Sequence, residues 1–356
     1  MRLKMMKKSL KQLGAGLAAG ILLCGCGGIS GTAAKGSGGT EPAQRTLYAM
    51  DTVMSLTAYG SGAEEAVQKA VEEIERLDKL LSTGDENSEI SVLNRKGSGK
   101  LQGDVKELVE RSLKMSDETD GVFDIAIYPV MEAWGFTEEE QHVPEEEVLR
   151  KLLPLCDPSD IEYDASTGDI RFRKKGMKID LGGVAKGYTS TRLMEIYRSC
   201  GVTSGLVNLG GNVQTLGTKP DGSLWRIAIE DPDNGENQLG VLKISDKAAI
   251  TSGGYERFFE ADGRIFHHII DPSTGWPAEN GLKSVTIVSE DGTLADMLST
   301  ALYIMGTEKA QQYCAGHAAS DGFEAVLYTD EDKLLVTPGI RESFETKREV
   351  KIMDGF

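Results

Sequence analysis

Between residues 63 and 81 apolar side chains return every three or four positions, at Ala63, Ala66, Val67, Ala70, Val71, Ile74, Leu77, Leu80 and Leu81, with Glu and Lys between them. That spacing lays one apolar stripe along a helix and predicts an amphipathic helix over 63–81. A second is predicted from Asp104, read as its N-cap, to about residue 118, and a third over 145–153, just after Pro144. Residues 47–59 are rich in β-forming side chains and read as one opening strand. A polar loop at 82–88 leads to a short turn ending at Asn94, and segments 161–163 and 170–172 form a hairpin.

The helical period returns over 183–200, after which the chain turns to strands: 205–209, 213–216, 225–230, 241–244, 248–251, 257–260, 265–270 and 282–288. Helices at 293–304 and near 308–314 precede strands at 325–329 and 334–336. Helices and strands mix without a βαβ rhythm. The pattern therefore predicts an α+β fold, with mixed, largely antiparallel sheets and packed helices, and excludes a Rossmann sheet. A length of 356 residues fits one large domain or two closely associated subdomains.

Composition changes the picture at the N-terminus. Arg2, Lys4, Lys7, Lys8 and Lys11 precede a short apolar stretch and the sequence Leu23-Cys24-Gly25-Cys26. The stretch is too short to span a bilayer and reads as an export leader over 1–25. Gly25 before Cys26 resembles a bacterial lipobox, which makes Cys26 the expected lipidated residue; the competing reading is an ordinary signal with incidental cysteines. Residues 26–45 read as a flexible tether, 46–345 as the folded domain and 346–356 as a tail. Cys156, Cys200 and Cys314 have neither zinc nor disulfide spacing. A net charge of −17 argues against a nucleic-acid-binding surface but leaves room for a nucleotide held through a divalent cation.

Three clusters could carry chemistry. Asp296 and Thr300 stand four residues apart on a predicted helix, offering a carboxylate and a hydroxyl from one face. They suit part of a Mg²⁺ shell, and equally a polar pair on a solvated face. The run Asp180-Leu181-Gly182-Gly183-Val184-Ala185-Lys186 places a carboxylate, two glycines and a lysine at a helix start. It reads as an anion-binding corner or a tight turn, and it lacks the spacing of a phosphate-binding Walker loop. In His267-His268-Ile269-Ile270-Asp271-Pro272-Ser273-Thr274-Gly275, alternation sends the two histidines to opposite faces. His268 with Asp271 is a candidate base, or a surface histidine before a turn. Glycine clusters at 208–212 and 251–255 fit close approach of backbone or ligand. Gly121-Val122-Phe123-Asp124 could wall a flat aromatic ligand, or simply fill a core.

Together, and in this order, these segments resemble the ApbE-like flavin transferases. The resemblance rests on Met50-Asp51-Thr52, the stretch 80–91, Gly121–Asp124, 128–136, 178–188, 208–213, 251–259, 267–277 and 295–306. It covers essentially all of residues 46–340. It implies a T-fold-like α+β architecture and an FAD:protein FMN transferase that moves FMN from FAD to a threonine of an acceptor flavoprotein and releases AMP. The resemblance also implies a lipid-anchored protein on the extracytoplasmic face of the cell membrane. Carried onto matching positions, Mg²⁺ would be held by Asp296, Thr300 and the Gly183 carbonyl. FAD would contact Met50, Val122, Phe123, Asp124, Asp180, Lys186 and Ile270. Two departures stand out: Gly84 occupies a place where the family commonly has Tyr or Trp, and Gly254 one that is often polar. A Mg²⁺-dependent FAD pyrophosphatase and a non-catalytic FAD-binding lipoprotein are the alternatives.

Overall fold

The computed structural model describes residues 41–137 and 140–353; the expected leader, Cys26 and most of the tether lie outside them. Its spine is a nine-stranded sheet. Numbered in chain order, the strands are β1 (Ala43–Ala49), β2 (Thr52–Tyr59), β6 (Ser204–Leu209), β7 (Asn212–Leu216), β10 (Ala248–Gly253), β13 (Leu282–Ser289), β14 (Phe323–Thr329), β15 (Leu334–Val336) and β17 (Val350–Ile352), in that spatial order. Neighbours run antiparallel except β15 and β17.

Smaller sheets flank it: β3 (Ser98–Lys100) with β5 (Asp169–Phe172) and β4 (Ile161–Asp164); β16 (Phe344–Glu345) with β9 (Gln238–Ile244) and β8 (Trp225–Glu230); and the pair β11 (Phe258–Ala261) and β12 (Arg264–His267). The helices are α1 (Ala63–Leu81), α2 (Glu89–Lys96), α3 (Gly103–Glu118), α4 (Tyr128–Trp134), α5 (Glu146–Leu152), α6 (Gly182–Ser199) and α7 (Gly292–Asp321).

Strand alternation builds a core on each face of the large sheet. Along β14, Phe323, Ala325 and Leu327 enter the core beneath the helices, whereas Val326 and Tyr328 enter the one shared with β8 and β9. The apolar stripe of α1 packs Ala66, Val67, Ala70 and Ile74 against Met54, Leu56 and Val207 of β2 and β6. Ile74 is fully buried, a burial that stabilises by about 1.5–3 kcal/mol. Aromatic rings of Trp134, Phe136, Phe259, Phe266 and Trp276 form a separate cluster under β11 and β12.

Several boundaries differ from the sequence reading. The opening strand is a hairpin, because Met50 and Asp51 adopt φ of 46° and 58° and turn the chain back. Two positive φ angles in a two-residue loop match the right-handed twist of the strands, a place normally signalled by Asn-Gly. The fold begins at Ala43, inside the expected tether, and Val350–Ile352 of the expected tail pairs with β15. Asp104 is not a cap: Gln102 holds that position, and Asp104 accepts from Arg76 and the Tyr188 hydroxyl. The turn ending at Asn94 is a true helix, capped by the Ser88 hydroxyl accepting from Ser91 N–H at 2.9 Å. The last two helices share the span of α7 and break at Gly306, whose φ of 76° and ψ of 177° leave the helical region.

Candidate active site

The corner at the start of α6 is fixed from behind. Asn94 clamps Ile179 through its side-chain amide, donating to the Ile179 carbonyl and accepting its N–H, both at 2.8 Å. Asp180 N–H donates to the Ile125 carbonyl at 2.8 Å, and the Asp180 carboxylate accepts from Gly182 N–H at 3.0 Å. Two glycines then bring α7 against α6. A Cβ on Gly187 would lie 2.2 Å from the Gly292 carbonyl oxygen and 2.5 Å from Asp296 Cβ, so only glycine permits this approach.

The close approach delivers Asp296 to the corner. Its Oδ2 accepts from Gly187 N–H at 2.8 Å and its Oδ1 from the Asn212 amide at 3.0 Å. The Gly187 donor is the one that the helical ladder directs to the Gly183 carbonyl. Sharing it with Asp296 leaves that carbonyl an oxygen lone pair to offer. Thr300, one turn along α7, has its hydroxyl 3.3 Å from Ser252 Oγ, which in turn lies 2.8 Å from Ser299 Oγ. One carboxylate, one hydroxyl and one carbonyl form a hard-oxygen set of the kind that suits Mg²⁺ with waters or phosphate oxygens completing the shell. Among the described residues no group of three His, Cys, Asp or Glu stands together as a metal cluster.

Around this corner opens a cleft of about 3090 Å³, against roughly 300–1,000 Å³ for an ordinary small-ligand pocket. The cleft brings together Met50, Val122, Phe123, Asp124, Asp180 and Lys186. Gly183, His268, Ile270, Asp296 and Thr300 line it as well. Asp271 does not. Its carboxylate accepts from the Ser273 N–H at 2.8 Å and hydroxyl at 2.6 Å, shaping the turn before Gly275, so its expected catalytic role gives way to a structural one.

The charged groups sit at different depths in the cleft: Asp296 is buried, Asp180 and His268 are half-buried, and Glu256 is exposed at its wall. Burial raises Asp296 above the ordinary carboxylate range, opposed by Lys186 and by its two hydrogen-bond donors. Asp180 is raised likewise, against the pull of Gly182 N–H, Arg257 and Lys186. Asp124 is pushed up to about 7 by burial, and its Oδ2 has no hydrogen-bond partner. His268 is driven down to about 3 by burial and by the cations Arg257 and Lys186. Its Nδ1 lies 3.1 Å from the Arg257 carbonyl; protonated there, it leaves Nε2 as the basic nitrogen. His267, on the other side of the strand, is buried with Nε2 3.1 Å from the Ala278 carbonyl.

Sequence reasoning passed over Asn212 and Ser252, which hydrogen-bond Asp296 and Thr300 of α7, and the pair Glu256 and Arg257. Desolvation pushes Glu256 up to about 8, with Lys186 opposing and Asp296 and Glu230 adding to the rise. Arg257 braces the wall by donating to the Phe136 carbonyl. Their signal was the charged dipeptide directly after the 251–255 glycine cluster. The glycine departures have opposite surroundings: a Cβ on Gly84 would meet only Ser82 Oγ at 3.7 Å, whereas one on Gly254 would lie 2.6 Å from His267 Cδ2 and 3.0 Å from the Tyr303 hydroxyl.

The ApbE family model matches residues 50–327. The FAD:protein FMN transferase of Klebsiella pneumoniae (strain 342) is 32% identical over 281 residues, covering 77% of this chain and 86% of that protein. The FAD:protein FMN transferase of Treponema pallidum is 29% identical over 340 residues, covering 90% and 92%. The ApbE protein from Thermotoga maritima superposes with a TM-score of 0.80 at 29% identity, covering 87% of this chain and 100% of that one. The flavinyl transferase ApbE of Pseudomonas stutzeri, in its apo form, gives 0.71 at 29% identity, with 81% and 91% covered.

Proposed function

The chain belongs to the ApbE family, and from that membership we propose how its cleft works. It is an FAD:protein FMN transferase, taking FAD as substrate and a flavoprotein as acceptor. The observation that carries the reading is Asp296, held by Gly187 N–H at the glycine-rich start of α6 beside Lys186. Phosphoryl transfer asks a protein chiefly for positioning and charge neutralisation, and these residues supply both.

Asp296, Thr300 and the Gly183 carbonyl would hold Mg²⁺, which when bound neutralises charge on the pyrophosphate oxygens. Lys186 adds a fixed cation, and the α6 N-terminus directs N–H groups toward phosphate. Asp124, with its unpartnered Oδ2, offers a hydrogen bond to a heterocycle edge, and Phe123, Val122, Met50 and Ile270 wall the rings. In the transfer, the acceptor's threonine oxygen bonds to the FMN phosphorus while the bond from that phosphorus to the bridging oxygen breaks. AMP leaves with the electron pair. His268, neutral and with Nε2 free of the Arg257 contact, receives the hydroxyl proton.

We further propose lipidation at Cys26 and a site of action on the extracytoplasmic face of the cell membrane. Among the described residues no helix is long and apolar enough to cross a membrane; in this reading the acyl chain on Cys26 supplies the attachment.

Incubation with FAD, Mg²⁺ and an acceptor flavoprotein tests the activity. Flavin fluorescence that stays with the acceptor in denaturant, with one AMP per flavin attached, is the expected result. Free FMN with AMP would mean hydrolysis, and FAD binding without AMP would mean a carrier.

A further inference from the structure

The sheet of β16, β9 and β8 ends on β8, which pairs with β9 alone among the described residues. Its hydrogen-bonding polarity follows from two contacts on the far side. Lys243 N–H donates to the Ser343 carbonyl at 2.7 Å, and the Leu239 carbonyl accepts from Thr346 Oγ1 at 2.5 Å. Residues 239, 241 and 243 therefore aim their main-chain groups at β16, and Gly240, Leu242 and Ile244 aim theirs at β8. Opposite them in register stand Ile229, Ile227 and Trp225, which close the ladder. Arg226 and Ala228 are left with N–H and C=O pointing away, toward an edge that no strand covers among the described residues.

The strand lines the cleft. Arg226, Ala228 and Glu230 lie on one side of β8 by alternation, and all three line the cleft, while Ile229 and partly buried Ile227 pack inward against the large sheet. Glu230, at the C-terminal end of the strand, lines the same cleft as Glu256, Lys186 and Asp296. Trp225 contacts the Tyr59 ring at 6.3 Å at one end. At the other, the Glu230 carboxylate lies close enough to act on Tyr255 and Glu256, and Glu256 in turn feels Lys186 and Asp296. Six residues of strand span ~20 Å, and the cleft volume leaves space beside a dinucleotide for such a segment.

We propose that β8 is the docking edge for the acceptor protein: an extended acceptor segment adds as a strand along Arg226–Glu230 and carries its threonine hydroxyl to the Lys186–Asp296 corner. The inference rests on the transferase reading. Main-chain pairing gives affinity with little demand on side chains, so one site can serve acceptors of different sequence.

The test uses the full chain with FAD, Mg²⁺ and, as probe, the purified acceptor protein of the Klebsiella pneumoniae relative. Ala228→Pro removes one outward N–H without touching the β9 ladder, a placement edge strands tolerate. The expected result is a rise in the acceptor KM of about tenfold or more, with FAD affinity and the unfolding midpoint close to wild type. Hydrogen exchange on the wild-type protein gives an independent measure: saturating acceptor is expected to protect the outward amides of Arg226 and Ala228. Unaltered transfer by a folded Ala228→Pro protein, or protection of β1 at Ala43–Ala49 in place of β8, overturns the docking proposal alone. A wild-type protein that binds FAD but labels no acceptor overturns the transferase reading, and this proposal with it.

Discussion

The backbone N–H of Gly187 donates to Asp296 Oδ2 at 2.8 Å across 109 residues of sequence. This bond ties the starts of α6 and α7 into one corner, and it forms only because neither Gly187 nor Gly292 carries a side chain at their contact. Gly187→Ala puts a methyl carbon against a carbonyl and a Cβ, neither of which can swing away. The expected cost is about 1–3 kcal/mol of stability, measured by denaturant unfolding, together with loss of AMP release. A variant of wild-type stability would mean that the helices part easily here.

Asp296→Asn separates stability from function. The substitution keeps the shape and removes a carboxylate whose ionised form burial disfavours. In the absence of divalent cation the variant is expected to melt no lower than wild type at pH 8, since a desolvated charge is gone. AMP release is expected to fall by roughly 10²–10³-fold, the scale of a lost electrostatic contact in a phosphoryl-transfer site. The paired measurement is melting temperature and AMP yield against Mg²⁺ concentration; wild-type yield would remove Asp296 from the metal shell.

The Glu256 carboxyl sets a pH dependence with a definite sign. Its folded-state value, about 8, lies above the ordinary glutamate value of 4.5. Folding thus favours the protonated form, and the stability it contributes is full below the unfolded value and lost as pH rises through about 8. Asp124 acts in the same direction, from 3.8 to about 7. Thermal melts of the ligand-free protein are expected to decline from pH 5 to pH 8, and Glu256→Gln to flatten the decline while leaving the pH 5 midpoint nearly unchanged. A variant with the wild-type slope would show that Glu256 ionises freely in the cleft.

How much of this was legible in the sequence depended on the range of the signal. Ala63–Leu81 was predicted to the residue because its apolar stripe is local and its neighbours at Gly62 and Ser82 interrupt it. Asp296 and Thr300 could be paired by helical spacing, but the partners that aim them, Asn212 and Ser252, come from other strands and carry no local mark. The Met50–Asp51 turn was invisible since neither residue is glycine; tertiary contacts, including Met50 N–H donating to Asp78 Oδ1 at 3.1 Å, hold it. Asp271 misled for the opposite reason. Asp-Pro-Ser-Thr-Gly is a strong turn signal, and the carboxylate serves that turn.

His268→Asn tests the proton acceptor. The histidine is neutral in the free enzyme across the physiological range because its value sits near 3. Loss of a general base is expected to slow FMN transfer by about 10²-fold with FAD affinity nearly unchanged. Flavin fluorescence quenching reads the affinity, and denaturant-stable flavin on the acceptor reads the transfer. A parallel loss of FAD affinity would instead place His268 among the groups that hold the substrate.

Gly84 and Gly254 make a matched pair, since the sequence resemblance leads one to expect a larger side chain at each while only one has room. A Cβ on Gly84 meets nothing nearer than 3.7 Å and the residue lines the cleft, so Gly84→Tyr is expected to start its side chain without a clash and set a ring in the cleft. Stacking on a flavin or adenine is worth about 0.5–1.5 kcal/mol, and the variant is expected to bind FAD roughly two- to tenfold more tightly. Gly254→Asp meets the edge-to-face pair of His267 and Tyr303, whose rings lie 5.6 Å apart at 82° and occupy the place where a polar side chain would go. That substitution is expected to cost about 1–3 kcal/mol without any gain in affinity. The contrast, read by FAD titration and unfolding of both variants, tells a lost stacking platform at position 84 from a compensated packing exchange at 254. Equal behaviour of the two would mean that the His267–Tyr303 pair yields to a side chain, and that glycine at 254 is no packing requirement.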